Sequence, residues 1–228
     1  MDIKQCPLEA CHTITGAAIA IDVVRAFTTA AYAFAAGASE IILTGTVEEA
    51  LALRERFPGA LVMGEVDGLP VSGFDYGNSP SEISRSNLAG RRLIQRTTAG
   101  TQGVVRSTRA DLLLASSFVC AAATARYLRQ RQPETVTFVI TGILYERDGE
   151  EDIACADYLT ALLQGEQPDP APFIRRVYES TSGRYFTDPN QPEFPQADLE
   201  RCVEVDRFDF AMLVERREGL LAMKTVTG

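Results

Sequence analysis

Several short stretches place acids, hydroxyls, an amide and an arginine just past apolar runs. Asp22 follows AAIAI (17–21), with Arg25 and Thr28 close behind it. Glu65 follows LVM, and Asp75, Asn78 and Ser79 lie in GFDYGNSP (73–80). Thr97, Thr98, Gly100 and Thr101 belong to TTAGT (97–101) after LIQR, and Glu151 and Asp152 come after VTFVITG. Carboxylates delivered from separate loops can hold Mg²⁺, which takes few protein ligands and keeps several waters. Hydroxyls and backbone N–H groups at glycine-bearing helix starts bind phosphate. An arginine grips phosphate, carboxylate or sulfonate through its fork of donors. Acids, a hard cation and anion donors together are the equipment of metal-assisted phosphoryl transfer.

Each stretch also has a plain structural alternative. Asp22 suits a helix N-cap, and Glu151 and Asp152 suit the first turn of a helix, where acids complement the dipole. TTAGT and GFDYGNSP can each be a turn leading into a helix. Two other patterns carry less. Cys120 and Arg126 have Cys-x5-Arg spacing, but the intervening AAATA has no glycine and reads as helix. DVVR (22–25) resembles the start of an aspartyl-phosphate phosphatase, yet Val24 stands where a second acid is needed.

The elements that position these residues alternate in type. Apolar runs at 17–21, 40–43, 60–63, 93–96, 111–115 and 136–140 read as strands. Helical patterns fall at 28–36, stopped by Gly37, at 47–57 behind the capping box Thr46-Val-Glu-Glu49, at 117–131, and after the acidic stretch 148–152 to Leu163. Alternation of this kind predicts a three-layer α/β/α sandwich around a largely parallel or mixed sheet. In such sheets ligands bind beyond the carboxyl ends of the strands, where the polar stretches fall. Pro168, Pro170, Pro172, Pro189, Pro192 and Pro195 mark an excursion over 165–195 with one short helix near 173–179. A helix and a closing hairpin follow from Gln196.

The chain has 228 residues, 46% of them hydrophobic, enough for one sizeable core. A net charge of -9 argues against a nucleic-acid partner, which calls for a basic face. It leaves room for a small anionic substrate bridged by a cation or a local arginine. No apolar run is long enough to span a membrane and the first residues carry no signal-peptide pattern, so a soluble, cytoplasmic protein is expected. Five scattered cysteines suit reduced thiols, and Cys6, Cys11 and His12 lack a second pair to complete a zinc site. With a single histidine, His-based triads have no support.

IDVVRAFTTA (21–30), MGE (63–65), GFDYGNSP (73–80), TTAGT (97–101), SSFV (116–119) and EDIACA (151–156) occur in an order that resembles the 2-phosphosulfolactate phosphatase family. The resemblance covers roughly residues 15–160. It implies a single phosphatase domain over 1–228, a layered α/β/α fold and Mg²⁺-dependent hydrolysis of a small phosphate ester of sulfolactate, on the route to coenzyme M. An oligomer of identical chains is compatible with it. Carried onto this chain, Asp22, Glu65 and Asp152 bind the metal or activate water. Arg25 stabilises charge, and Arg25, Thr28, Asp75, Asn78, Ser79, Thr97, Thr98, Gly100 and Thr101 form the substrate wall. Three positions depart from the family pattern: Ala99 replaces an asparagine, Cys120 replaces an asparagine, and Asp157 replaces a glycine. They raise the alternative of a substrate-shifted or non-catalytic anion-binding homologue.

Overall fold

The strands are β1 (Asp2–Pro7), β2 (Ala17–Ile21), β3 (Glu40–Thr44), β4 (Leu61–Val66), β5 (Leu69–Pro70), β6 (Arg92–Arg96), β7 (Leu112–Ser116), β8 (Thr135–Ile140), β9 (Ala211–Arg217) and β10 (Leu220–Val226). The helices are α1 (Ala26–Ala35), α2 (Val47–Arg56), α3 (Pro80–Ile83), α4 (Gly100–Arg106), α5 (Ala121–Arg131), α6 (Glu150–Leu163), α7 (Ala171–Glu179), α8 (Thr181–Tyr185) and α9 (Gln196–Cys202). The computed structural model describes residues 1–143 and 147–227. One mixed sheet takes the order β1-β8-β2-β7-β9-β10-β3-β6-β4-β5.

Helices cover both faces. On one face Phe27, Ala30 and Phe34 of α1 and Val104 of α4 pack on Ala18, Ala20, Ile41, Leu93 and Val139. On the other, α5 and α6 bury Leu128 and Leu159 against Ile19, Phe138 and Ile140, and α2 sets Ala50 and Leu53 on Ile42, Val62 and Ile94. Neighbouring residues of one strand thus enter different clusters, as the two-residue side-chain period requires. The three-layer sandwich is the observed architecture, and its sheet is mixed.

The expected elements are present with small shifts. Helix α1 starts at Ala26, earlier than expected, because Asp22 Oδ1 accepts its first N–H at 2.9 Å. Thr46 caps α2 by accepting from Glu49 N, while Glu49 Oε2 reaches back to Gly45 N. Strand β1 was not legible: DIKQCP has no apolar run, and it stands at the sheet edge, parallel to β8. The excursion carries two helices, α7 and α8, where one was expected.

The C-terminal hairpin lies in the middle of the sheet. Strand β9 pairs antiparallel with β7, and β10 antiparallel with β3. The parallel groups β1-β8-β2-β7 and β3-β6-β4 therefore point in opposite directions. In a flat sheet their carboxyl ends would lie at opposite edges. Adjacent strands, however, rotate by roughly 20–25°, which accumulates to roughly 100–125° on passing from β2 through the hairpin to β6. The sheet curls round α1 and α4, and the ends of β2 and β6 converge. Buried Gln95 of β6 donates to the Ala26 carbonyl just past β2, at 2.9 Å.

Candidate active site

The converging strand ends enclose a cleft lined by Asp22, Arg25, Glu65, Asn78, Thr98, Ala99 and Arg147, and roofed by Ser182, Tyr185, Phe186 and Phe194 of the excursion. Its cavity volume is about 50 Å³, far below a nucleotide-sized pocket. A small ligand group fits it.

Asp22 and Glu65 form the acidic wall. Asp22 keeps Oδ1 on the Ala26 N–H and turns Oδ2 toward the start of α4. A Cβ on Gly100 would stand 2.7 Å from Asp22 Oδ2, so glycine is what lets the TTAGT backbone pass there. Glu65 is tied to the same loop: Oε1 accepts from Thr98 N at 2.6 Å, and Oε2 from Thr98 Oγ1 at 3.0 Å and Gly68 N at 2.5 Å. The preceding Gly64 has φ +140°, and its Cα lies against the Arg96 carbonyl of β6.

The rest of the lining is cationic, amide-bearing and aromatic. Arg25 is held by Asp198 and the Gly68 carbonyl, with Phe186 and Phe194 over its guanidinium. Asn78 is 7% exposed, and its Oδ1 has no partner among the described residues. Ser182 Oγ is in the same condition, at 4% exposure. A buried polar atom without a partner loses its hydration for nothing in return, so Asn78 Oδ1 is ready to accept from a donor; Ser182 Oγ lies beside the buried Glu151 carboxyl.

Residues 5–217 match the family described as 2-phosphosulpholactate phosphatase. A Bacillus subtilis (strain 168) protein named probable 2-phosphosulfolactate phosphatase is 35% identical over 199 residues, covering 87% of this chain and 86% of its own. A relative of the same name from Thermosynechococcus vestitus is 35% identical over 209 residues, with 83% and 85% covered. One from Deinococcus radiodurans is 41% identical over 150 residues, with 64% and 62% covered. The chain belongs to the 2-phosphosulfolactate phosphatase family. It is an enzyme of the phosphoric monoester hydrolase class, 2-phosphosulfolactate phosphatase-like.

Not every residue that carried the resemblance to the 2-phosphosulfolactate phosphatase family reaches the cleft. Asp22, Arg25, Glu65, Asn78 and Thr98 line it, and Gly100 abuts it. Thr28 of α1 instead donates to the Val23 carbonyl just before that helix. Thr97 and Thr101 cap one another, each hydroxyl accepting the other's N–H. Exposed Asp75 accepts from Val62 N and stitches its loop to β4. Ser79 caps α3 and donates to Asp198 at 2.6 Å, so the anion at that helix start is the protein's own carboxylate. Asp152 is fully buried, with Oδ1 on Val23 N and Oδ2 on Gly142 N. Its oxygens brace the β2 and β8 ends, and it is not among the residues that line the cleft.

Of the departures from the 2-phosphosulfolactate phosphatase pattern, only Ala99 lines the cleft. Cys120 sits among Ser116, Ser117 and Thr124. Asp157 pairs with Arg176 and accepts from Gln5. Among the described residues no cysteine lines the cleft, and burial pushes the Cys120, Cys155 and Cys202 thiols up, away from thiolate chemistry. Arg126 pairs with exposed Asp209, so the Cys-x5-Arg pattern makes no anion cradle. Asp198, Arg147, Ser182, Phe186 and Phe194 were missed by sequence reasoning. Asp198, Ser182, Phe186 and Phe194 lie outside the strand-end rule that found the others, in a helix turn and a Pro-rich excursion, whereas Arg147 follows β8 in a stretch read only for its acids.

Burial, reinforced by the Glu65 charge, pushes the Asp22 carboxyl up to about 6. Asp152 is also raised, by burial and then by Glu151 and Asp22, and burial raises Glu151. Groups that hold their protons more tightly in the folded than in the unfolded chain stabilise the fold when protonated. For Asp22 that contribution is complete below its ordinary value of 3.8 and is lost as pH rises through about 6. For chelator-treated protein the Tm is therefore expected to fall by a few degrees between roughly pH 5 and 7, on the order of 1 kcal/mol from Asp22 alone. A Tm that rises over that interval in calorimetry would contradict the assignment.

Proposed function

We propose that the chain is a Mg²⁺-dependent phosphatase that hydrolyses a small acidic phosphate monoester, with 2-phosphosulfolactate converted to sulfolactate and phosphate as the leading case. The observation that carries this is two acids, Asp22 and Glu65, and two arginines, Arg25 and Arg147, lining one cleft. The names of the relatives support the substrate.

The cleft fits a divalent cation without a dedicated cage. Among the described residues no three Asp, Glu, His or Cys side chains gather as a ligand set. Mg²⁺, however, needs only one or two carboxylates beside waters and substrate phosphate. Asp22 and Glu65 are two acids held close enough for one to raise the other's pKa, a repulsion that a cation between them would relieve. The charge balance points the same way. Two acids and two arginines line the cleft, and Arg25 is already paired with Asp198. A phosphate ester bearing further anionic groups brings more negative charge than this wall can match. When bound, Mg²⁺ supplies electrostatic stabilisation of the phosphoryl oxygens.

The chain's own groups do the rest. The Asp22 carboxyl lines the cleft and orients the attacking water, while Oδ1 stays on the Ala26 N–H and fixes the carboxyl plane. Attack of that water on phosphorus breaks the ester P–O bond, releasing inorganic phosphate and the hydroxy acid. Arg25 holds an oxyanion of the substrate, the Ser182 hydroxyl can donate to a ligand oxygen, and Asn78 Oδ1 can accept from water. The excursion rings exclude water from that end.

Phosphate release from 2-phosphosulfolactate, measured with and without Mg²⁺, tests the proposal. EDTA is expected to lower the rate at least about tenfold, and excess Mg²⁺ to restore it. Undiminished turnover in EDTA would remove the metal from the mechanism, and no release from any phosphorylated 2-hydroxy acid would remove the phosphatase. A substrate-shifted enzyme is the second reading, and Ala99 in the cleft wall carries it, because an amide donor is missing there. A panel in which another phosphorylated acid gives the higher kcat/KM would favour it. Thermal stabilisation by 2-phosphosulfolactate with no release would favour a non-catalytic anion binder.

A further inference from the structure

Arg25 is fixed by four groups drawn from distant parts of the chain. Its Nη1 donates to Asp198 Oδ2 at 3.2 Å and its Nη2 to the Gly68 carbonyl at 2.8 Å. The Phe186 and Phe194 ring centroids lie 5.2 Å and 5.3 Å from Cζ, within cation–π range. Asp198 is itself clamped. Its side chain is 0% exposed, and Oδ1 accepts from Ser79 Oγ at 2.6 Å, Ser81 Oγ at 2.6 Å and Ser81 N at 3.2 Å.

A carboxylate this buried is costly unless its lone pairs and charge are met. All of Asp198's partners are met locally: Oδ1 by α3 and Oδ2 by Arg25. Because Oδ1 is anchored to three donors, Oδ2 has a fixed place, and the guanidinium that bonds to it inherits that place. Among the described residues, the cation paired with Asp198 is one that lines the cleft. A carboxylate serving only the α3–α9 contact would not need that partner.

Building on the proposed phosphatase function, we infer that Asp198 is a positioning residue that aims Arg25 at an oxyanion of the substrate. Asp198 also cancels most of Arg25's net charge. The pair therefore selects by geometry, through the remaining N–H groups of a planar fork. Lysine, a point charge on a flexible stem, cannot keep the carboxylate, the Gly68 carbonyl and both rings at once. The excursion and α9 thus complete a binding group whose arginine comes from the end of β2.

The test is a double-mutant cycle on Asp198→Asn and Arg25→Lys, read as KM and kcat for 2-phosphosulfolactate with Mg²⁺. Binding of inorganic phosphate by titration calorimetry is measured on the same four proteins. Asparagine at 198 can still accept from the serines through Oδ1. Each single substitution is expected to raise KM about tenfold while changing kcat less than about threefold. The double variant should be no worse than the poorer single, within about twofold, because both disrupt one unit. Multiplicative effects, or a KM for Asp198→Asn within twofold of the parent with only a lowered Tm, would reduce Asp198 to a structural residue. If Asp198→Asn does not fold, Ser81→Ala, which removes one anchor of Oδ1, should raise KM about threefold, and an unchanged KM overturns the inference. A parent enzyme without turnover would refute the phosphatase function instead. Phosphate affinity, expected to fall about tenfold in Asp198→Asn and to stay unchanged if the inference is wrong, still decides the role of Asp198.

Discussion

Replacing Asp22 with asparagine is expected to lower the hydrolysis rate by on the order of 10³-fold or more while leaving the fold intact. The amide keeps an oxygen where Oδ1 now accepts from Ala26 N, so the start of α1 survives. What disappears is the negative charge of a carboxyl that lines the cleft, and with it half of the acidic pair formed with Glu65. The stability change has the opposite sign. A carboxyl pushed up to about 6 by burial resists ionising in the folded protein. Its neutral isostere should therefore raise the Tm of the metal-free protein at pH 7. Rate and Tm measured together separate this from simple unfolding: activity within tenfold of the parent would remove Asp22 from the chemistry. A lowered Tm would mean that its charge is compensated in the fold.

The largest stability effect is expected at Gly64, where alanine should cost about 4 kcal/mol. The backbone there has φ +140°, a conformation closed to alanine without strain, and the new Cβ would overlap the Arg96 carbonyl oxygen. That carbonyl belongs to the neighbouring strand β6, paired with Gly64 in register, so neither partner can withdraw without breaking the ladder. For a chain of this length the Tm should drop by roughly 10 °C. Activity should fall as well, since Glu65 is the next residue and takes its position from β4. A Tm within about 2 °C of the parent by calorimetry would show that the two strands can separate locally at no cost.

The amino-acid sequence by itself determined the element types, the layered class and the residues at each strand end. Those follow from local causes. Alternation and apolar runs encode strands; Thr46 and the glycines mark helix starts and stops; Asp22 and Glu65 stand out as acids just past buried runs. The five cleft-lining choices were legible for that reason. The same local signal could not separate Asn78, which enters the cleft, from Asp75, which braces β4, or Thr98 from Thr97 and Thr101, which bond each other. Neighbours along an irregular loop point in different directions, and no period predicts which hydroxyl faces a ligand.

Tertiary structure alone decided that the site exists as one place. The hairpin β9–β10 inserts between two parallel strand groups that run in opposite directions, and only the accumulated twist of the sheet brings the end of β2 to the ends of β4 and β6. Asp198, Phe186 and Phe194 reach Arg25 across more than a hundred and fifty residues of chain. Pairing between elements so far apart is chosen by the packing of the whole core. The individual donors and acids are written in local sequence, whereas their convergence is a property of the curled sheet.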